Sequence, residues 1–239
     1  MKKEQLIKNG MQYQFKNEVE DDKHVLTLSG FVGEPDLFDM IMGVETINPQ
    51  DVRNALDGVD KDIHVRINSG GGDVFAGIEI YNYLKNHTSN VTIEVTALAA
   101  SAASIIAMAG DKIVMDTGSS MMIHEAATIA IGTKSEIQKT LNALETIDSS
   151  LIDIYAEQTG MTADALSELI TAETWLTADE AVEKGFADEK SSKQAETVET
   201  PEEDDEKVVA LESKIASLEE KISALSHNKV VAKNKRRYY

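Results

Sequence analysis

The chain has 239 residues, of which 42% are hydrophobic but only 5% aromatic, and a formal charge of −19. That length allows one domain of about 150–200 residues plus extensions, with a core built mainly from Ala, Ile, Leu, Val and Met. The absence of Cys excludes disulfides, a thiolate metal site and a cysteine nucleophile. Residues 1–188 hold 31 acids against 13 bases, so the body is not expected to bind nucleic acid.

Residues 1–23 are polar and aperiodic and read as an N-terminal arm with no signal-type apolar run. Val25, Leu26, Leu28 and Phe31 suggest a first strand, and 35–42 a helix with Leu37, Met40 and Ile41 inward. Asn48-Pro49 opens the next helix, with Asp51 in a first turn that favours an acid. Ile63, Val65 and Ile67 alternate as a strand that runs into Asn68-Ser69-Gly70-Gly71-Gly72, and a helix follows over 74–85. Val91, Ile93 and Val95 predict another strand. The stretch 97–110 reads as a buried helix of small residues, too short and too rich in Ala and Ser to cross a bilayer. Short strands are expected at 113–115 and 121–124. A long helix over 135–158 has Ile137, Leu141, Leu144, Ile147, Leu151 and Ile154 at helical spacing. A shorter helix starts at Thr162, and Thr177-Ala-Asp-Glu180 is a capping box whose helix closes at Gly185. Strands alternating with helices predict an α/β fold. Residues 189–207 read as an acidic disordered linker. Val208, Leu211, Ile215, Leu218, Ile222 and Leu225 give 208–227 a short heptad pattern, with a surface helix as the alternative. Residues 228–239 form a basic tail. A soluble, cytoplasmic protein without a membrane partner is expected.

Three features bear on chemistry. The Gly triplet at a strand end could turn backbone N–H groups toward a phosphate or an oxyanion, or could be a plain tight turn. In Ala99-Ala-Ser101-Ala-Ala-Ser104, a serine among small residues opens an apolar helix, where the helix dipole favours negative charge. A packing role with Ser101 as cap is the alternative, and nothing local separates Ser101 from Ser104. Of five His, His124 closes the short strand Met121-Met122-Ile123, where a base could meet a serine. A structural His is the alternative. Carboxylates are too many for composition to choose a third partner.

Taken in order, four segments resemble those of the Clp-type proteolytic subunits, a family of self-compartmentalising serine peptidases. They are Ile67-Asn-Ser-Gly-Gly-Gly72, Ala99-Ala-Ser101 with Gly110 nine residues on, Met122-Ile-His124, and Trp175-Leu-Thr-Ala-Asp-Glu-Ala-Val-Glu-Lys-Gly185. The resemblance covers residues 24–188. It implies a Clp protease/crotonase-like α/β fold of repeated ββα units, with 135–158 as a protruding handle helix and a C-terminal tail added. It implies Ser101 as nucleophile, His124 as base, Gly71 and Ala102 as oxyanion-hole amides, and no metal or other cofactor. Ser104 falls where the family usually has a non-polar residue, which selects Ser101. Glu173 matches the position of the family's acid, usually Asp, and Gly70 stands where the family usually has Pro. The partners implied are further copies in rings joined through the handle helix, and a polypeptide substrate. Because the sequence shows a C-terminal heptad segment and not the family's usual N-terminal segment, it looks most like the head-maturation proteases of tailed phages, which trim capsid or scaffold proteins without ATP. An ATP-dependent complex with an AAA+ unfoldase, an inert assembly protein and a crotonase-type acyl-CoA enzyme are the alternatives.

Overall fold

A computed structural model describes residues 13–20, 22–35 and 45–191, all within one unit, Met1–Ser192. The helix expected over 35–42 (Pro35 apart), the heptad segment and the basic tail lie outside the described residues.

Among the described residues, eight strands form one mixed sheet: β1 (Gln14–Glu20), β2 (Lys23–Val32), β3 (Ile63–Gly72), β4 (Val91–Ala100), β5 (Lys112–Met115), β6 (Ser120–Ile123), β7 (Thr174–Thr177) and β8 (Glu189–Lys190). The main order is β1-β2-β3-β4-β5-β8, with β6 on the far end of β4 and β7 on β6. β2, β3, β4, β5 and β8 run parallel, and β1 joins β2 antiparallel. Six helices are described: α1 (Pro49–Leu56), α2 (Val74–Lys85), α3 (Ala102–Ala107), α4 (Lys134–Thr159), α5 (Ala163–Thr171) and α6 (Ala178–Glu183).

The alternation of β3 and β4 sorts their two faces. Ile63, Val65, Ile67, Val91, Ile93 and Val95 are buried in the main core. The intervening residues carry charge on the other face. There His64 Nε2 and Arg66 Nε meet the same Glu94 Oε2 at 3.0 and 3.2 Å, and Arg66 also reaches Glu20 of β1 at 3.2 Å. These partners hold the Glu94 carboxyl below its usual range, the His64 hydrogen bond contributing most.

Helix starts follow the caps in the sequence. Asn48 caps α1 through Asp51 N–H at 2.9 Å, and Asp73 caps α2 through Ala76 N–H at 2.8 Å. Thr133/Glu136 and Thr177/Glu180 form full capping boxes on α4 and α6. Each such cap is worth about 1 kcal/mol over alanine.

Three expectations are corrected. The N-terminal arm is not aperiodic throughout, because residues 14–20 form β1. Its pairing with β2 is a backbone matter, and an exposed edge strand needs no clean hydrophobic alternation. The stretch 97–110 is not one helix. β4 runs to Ala100, Ser101 turns the chain, and only 102–107 are helical. Ala and Ser carry little periodic signal, so the boundary is set by pairing of Leu98–Ala100 with β6. Residues 189–190, placed at the head of the linker, form β8 against β5, held by Lys112–Glu189 at 3.0 Å and Lys190–Asp179 at 2.7 Å.

Candidate active site

The long strand β4 changes neighbours along its length. Residues 92–95 pair with β5, and 98–100 pair with β6. Since Ala100 lies opposite Met122 in parallel register, Ser101 and His124 leave the sheet side by side. His124 Nε2 is 2.8 Å from Ser101 Oγ. For His124 to accept the serine proton at Nε2, its other nitrogen must carry hydrogen.

Ser101 has φ 55 and ψ −127, a conformation unusual for a residue with a side chain. Both its backbone groups are anchored. Its N–H donates to Met122 O at 2.9 Å, and its carbonyl accepts from Ser104 N–H at 2.9 Å. This sharp strand-to-helix turn lifts Oγ clear of the sheet. Ala102 follows as the first residue of α3, where backbone N–H groups have no intrahelical acceptor.

The glycine loop closes over this turn. Gly71 has φ +86, and a Cβ there would stand 2.8 Å from both Ala102 N and Ser101 Cβ and would also strike Ala100 O. Only glycine allows that approach. The Gly71 N–H itself donates to Ser69 Oγ at 3.0 Å, and buried Ser69 in turn donates to Gly30 O at 2.5 Å. The amide expected to serve an oxyanion is therefore engaged within the loop. The next glycine, Gly72, is exposed, and a Cβ on it would strike Val32 O.

Glu173 is exposed, with φ +51, and its carboxylate accepts from Trp175 Nε1 at 3.4 Å. No hydrogen bond to His124 is described. The antiparallel ladder of β6 and β7 ends on the pair Ile123–Thr174, and His124 and Glu173 are the residues next to that pair in sequence.

A cleft of about 620 Å³ lies beside the Ser101–His124 pair. The glycine loop and Phe31 contribute to one side, and Leu144, Ile147, Leu151 and Tyr155 of α4 to another. Of the apolar residues at helical spacing on α4, Ile137 and Leu141 are 46% and 48% exposed, while Leu151 is buried together with Tyr155. Two residues near the pair escape sequence reasoning. Asp148 accepts from Ala126 N–H at 2.7 Å, just past His124, and Tyr155 reaches Ser104 at 2.8 Å. An acid and a tyrosine on a long helix carry no signal of such contacts; only the helical offset of seven hints that they share a face.

Among the described residues, no group of three or more His, Asp or Glu forms a candidate metal site, and no helix is long and apolar enough to cross a membrane.

A serine and histidine in hydrogen-bond contact, at a sharp strand-to-helix turn beside helix-opening amides, form the kind of arrangement that serine-type hydrolases use. The Clp protease family model matches residues 54–194, over half of the chain, and the chain belongs to that family of serine-type peptidases. The fold is accordingly the α/β, Clp/crotonase-like one. Among curated proteins, the chain is 37% identical over 138 residues to an ATP-dependent Clp protease proteolytic subunit of Bacteroides fragilis, covering 56% of this chain and 67% of that protein. It is 34% identical over 126 residues to an ATP-dependent Clp protease proteolytic subunit 1 of Chlamydia abortus, covering 51% and 66%. A proteolytic subunit of Bacteroides thetaiotaomicron matches at 36% over 138 residues, covering 56% and 63%. The matches with the Chlamydia abortus and Bacteroides thetaiotaomicron proteins thus span less than two thirds of those relatives' length.

Proposed function

We propose that the chain is a serine endopeptidase that cleaves polypeptides through an acyl-enzyme, with Ser101 as nucleophile and His124 as base. The observation that carries this reading is the 2.8 Å contact between Ser101 Oγ and His124 Nε2. His124 takes the Ser101 proton as Oγ attacks a peptide carbonyl, then gives it to the leaving amine, and water repeats the cycle on the ester. The Ala102 amide and a glycine-loop amide hold the oxyanion, from Gly71 once Ser69 releases it or from Gly72 beside it. Each such donor is typically worth about 3–4 kcal/mol.

Glu173 is the acid of this mechanism. What supports this role is that the β6–β7 pairing ends on Ile123 and Thr174, the residues that adjoin His124 and Glu173 in sequence. Glu173→Gln should lower kcat with a smaller change in KM. An unchanged kcat would assign the orientation of His124 to another group.

The names of the relatives favour work as the proteolytic subunit of an ATP-dependent complex over trimming of capsid or scaffold proteins. The head-maturation reading leans on the N-terminal sequence and on residues 189–239, and most of both lies outside the described residues. Assembly into rings through α4 is supported by apolar residues exposed on and before its first half: Ile129 and Ile131 at 82% and 95%, with Ile137 and Leu141.

The test is intact-mass spectrometry after a fluorophosphonate probe. One adduct on wild type and none on Ser101→Ala supports the reading. No adduct on wild type overturns it.

A further inference from the structure

Ser101 is the most constrained residue of the site. Its backbone conformation is one that a side chain resists, and such residues persist only where their surroundings fix them from several sides. Toward α3, the Ser101 carbonyl accepts from Ser104 N–H and also from Ser104 Oγ, the latter at 2.6 Å. Ser104 has a single hydroxyl hydrogen. With that hydrogen on the Ser101 carbonyl, the 2.8 Å contact between Ser104 Oγ and Tyr155 Oη is one in which tyrosine donates. Tyr155 comes from α4, 54 residues beyond Ser101, and its ring is fixed edge-on against Phe186 with centroids 5.7 Å apart. Tyr155 and Ser104 are both buried, at 1% and 0% exposure. Burial also pushes the Tyr155 hydroxyl's pKa up, which keeps its proton in place.

We infer that Tyr155 and Ser104 are positioning residues for the nucleophile: the chain Tyr155 O–H to Ser104 Oγ–H to the Ser101 carbonyl ties the cleft-lining helix α4 to the nucleophile turn and holds Ser101 in its attacking conformation. Neither hydroxyl touches the reacting atoms. The pair acts through the Ser101 backbone, so its loss leaves substrate binding largely intact and slows attack. The inference rests on Ser101 being the nucleophile.

The arrangement makes a prediction that general stabilisation does not. Among the described residues, the Tyr155 hydroxyl bonds to the turn through Ser104, so the two hydroxyls form one element, and removing either removes the hydrogen-bonded link. Their effects on attack are then non-additive, as expected for groups that act as a unit.

The experiment uses the full-length protein and the variants Tyr155→Phe, Ser104→Ala and their combination. It measures the second-order rate of fluorophosphonate labelling at Ser101 and kcat and KM on a fluorogenic peptide, at a temperature well below each variant's Tm. Tyr155→Phe keeps the ring and its packing on Phe186, and Ser104→Ala keeps the small buried volume, so failure of one variant to fold leaves the other to be read. The expected result is a fall of about tenfold in labelling rate and kcat with KM nearly unchanged, the scale of a slightly misplaced reacting group. The double variant falls no further than Ser104→Ala. If wild type labels at Ser101 and the variants label at the wild-type rate, the positioning role is overturned while the peptidase reading stands. Multiplying losses in the double variant would also overturn it. Absence of labelling in wild type overturns both.

Discussion

The Asp148 carboxylate accepts a 2.7 Å hydrogen bond from the Ala126 backbone N–H, two residues past His124. The helix α4 therefore touches the site on two sides. Asp148 holds the segment leaving His124, and Leu151 and Tyr155, further along the helix, line the cleft beside Ser101. Charged acceptors make hydrogen bonds worth roughly 1.5–3 kcal/mol, enough to fix a loop that has no strand partner. Asp148→Ala should lower kcat about tenfold by loosening the base, with a smaller change in KM. Asp148→Asn, which keeps an acceptor oxygen, should recover most of that loss. Steady-state kinetics on a peptide substrate decides it; equal activity in all three proteins would show that His124 is held by its strand alone.

His124→Ala should abolish measurable peptide hydrolysis, a loss of roughly 10⁴–10⁶ in kcat for a nucleophile deprived of its base. His124 is only partly buried at the end of β6, so the substitution should leave folding and assembly intact. Size-exclusion chromatography alongside the assay separates the two effects. Loss of assembly with activity would make His124 a structural residue.

Gly71→Ala meets two obstacles together. Its φ of +86 disfavours any side chain, and the new Cβ would stand 2.8 Å from Ala102 N and Ser101 Cβ. The strain alone should cost on the order of 1–3 kcal/mol. Denaturant unfolding should show this as a lower midpoint at an unchanged slope. Because the clash falls on the nucleophile turn, fluorophosphonate labelling should be lost even where the variant is folded. Labelling at the wild-type rate would mean that the loop and turn move apart freely.

Glu94, on the polar face of the sheet, should contribute to acid stability. Its folded-state pKa lies below the usual 4.5, first through its hydrogen bond to His64. A lowered folded pKa means that the unfolded chain binds the proton more readily. The stabilisation is then present above about pH 4.5 and is lost as pH falls through the lower folded-state value. Wild type should exceed Glu94→Gln in stability at pH 7, and the gap should close in acid. A gap that stayed constant down to pH 3 would assign the difference to packing and not to charge.

Local pattern carried far along this chain where one face is apolar and the ends are capped. Asn48, Asp73, Thr133 and Thr177 mark helix starts because a side-chain oxygen satisfies a free N–H within three residues, a relation that sequence alone contains. The alternation of Ile63, Val65 and Ile67 likewise fixed which face of β3 is buried. Order and spacing of the glycine loop, Ser101 and His124 pointed to the pair as well. Tertiary structure decided what depends on partners distant in sequence. β1 and β8 exist because backbone groups find a neighbouring edge, and Leu98–Ala100 became strand because β6 lies beside them. Most of all, the approach of Ser101 to His124 and the reach of Tyr155 to Ser104 are products of register between strand ends and of one helix laid against them. Such contacts join residues 23 to 51 positions apart, and no local propensity encodes them.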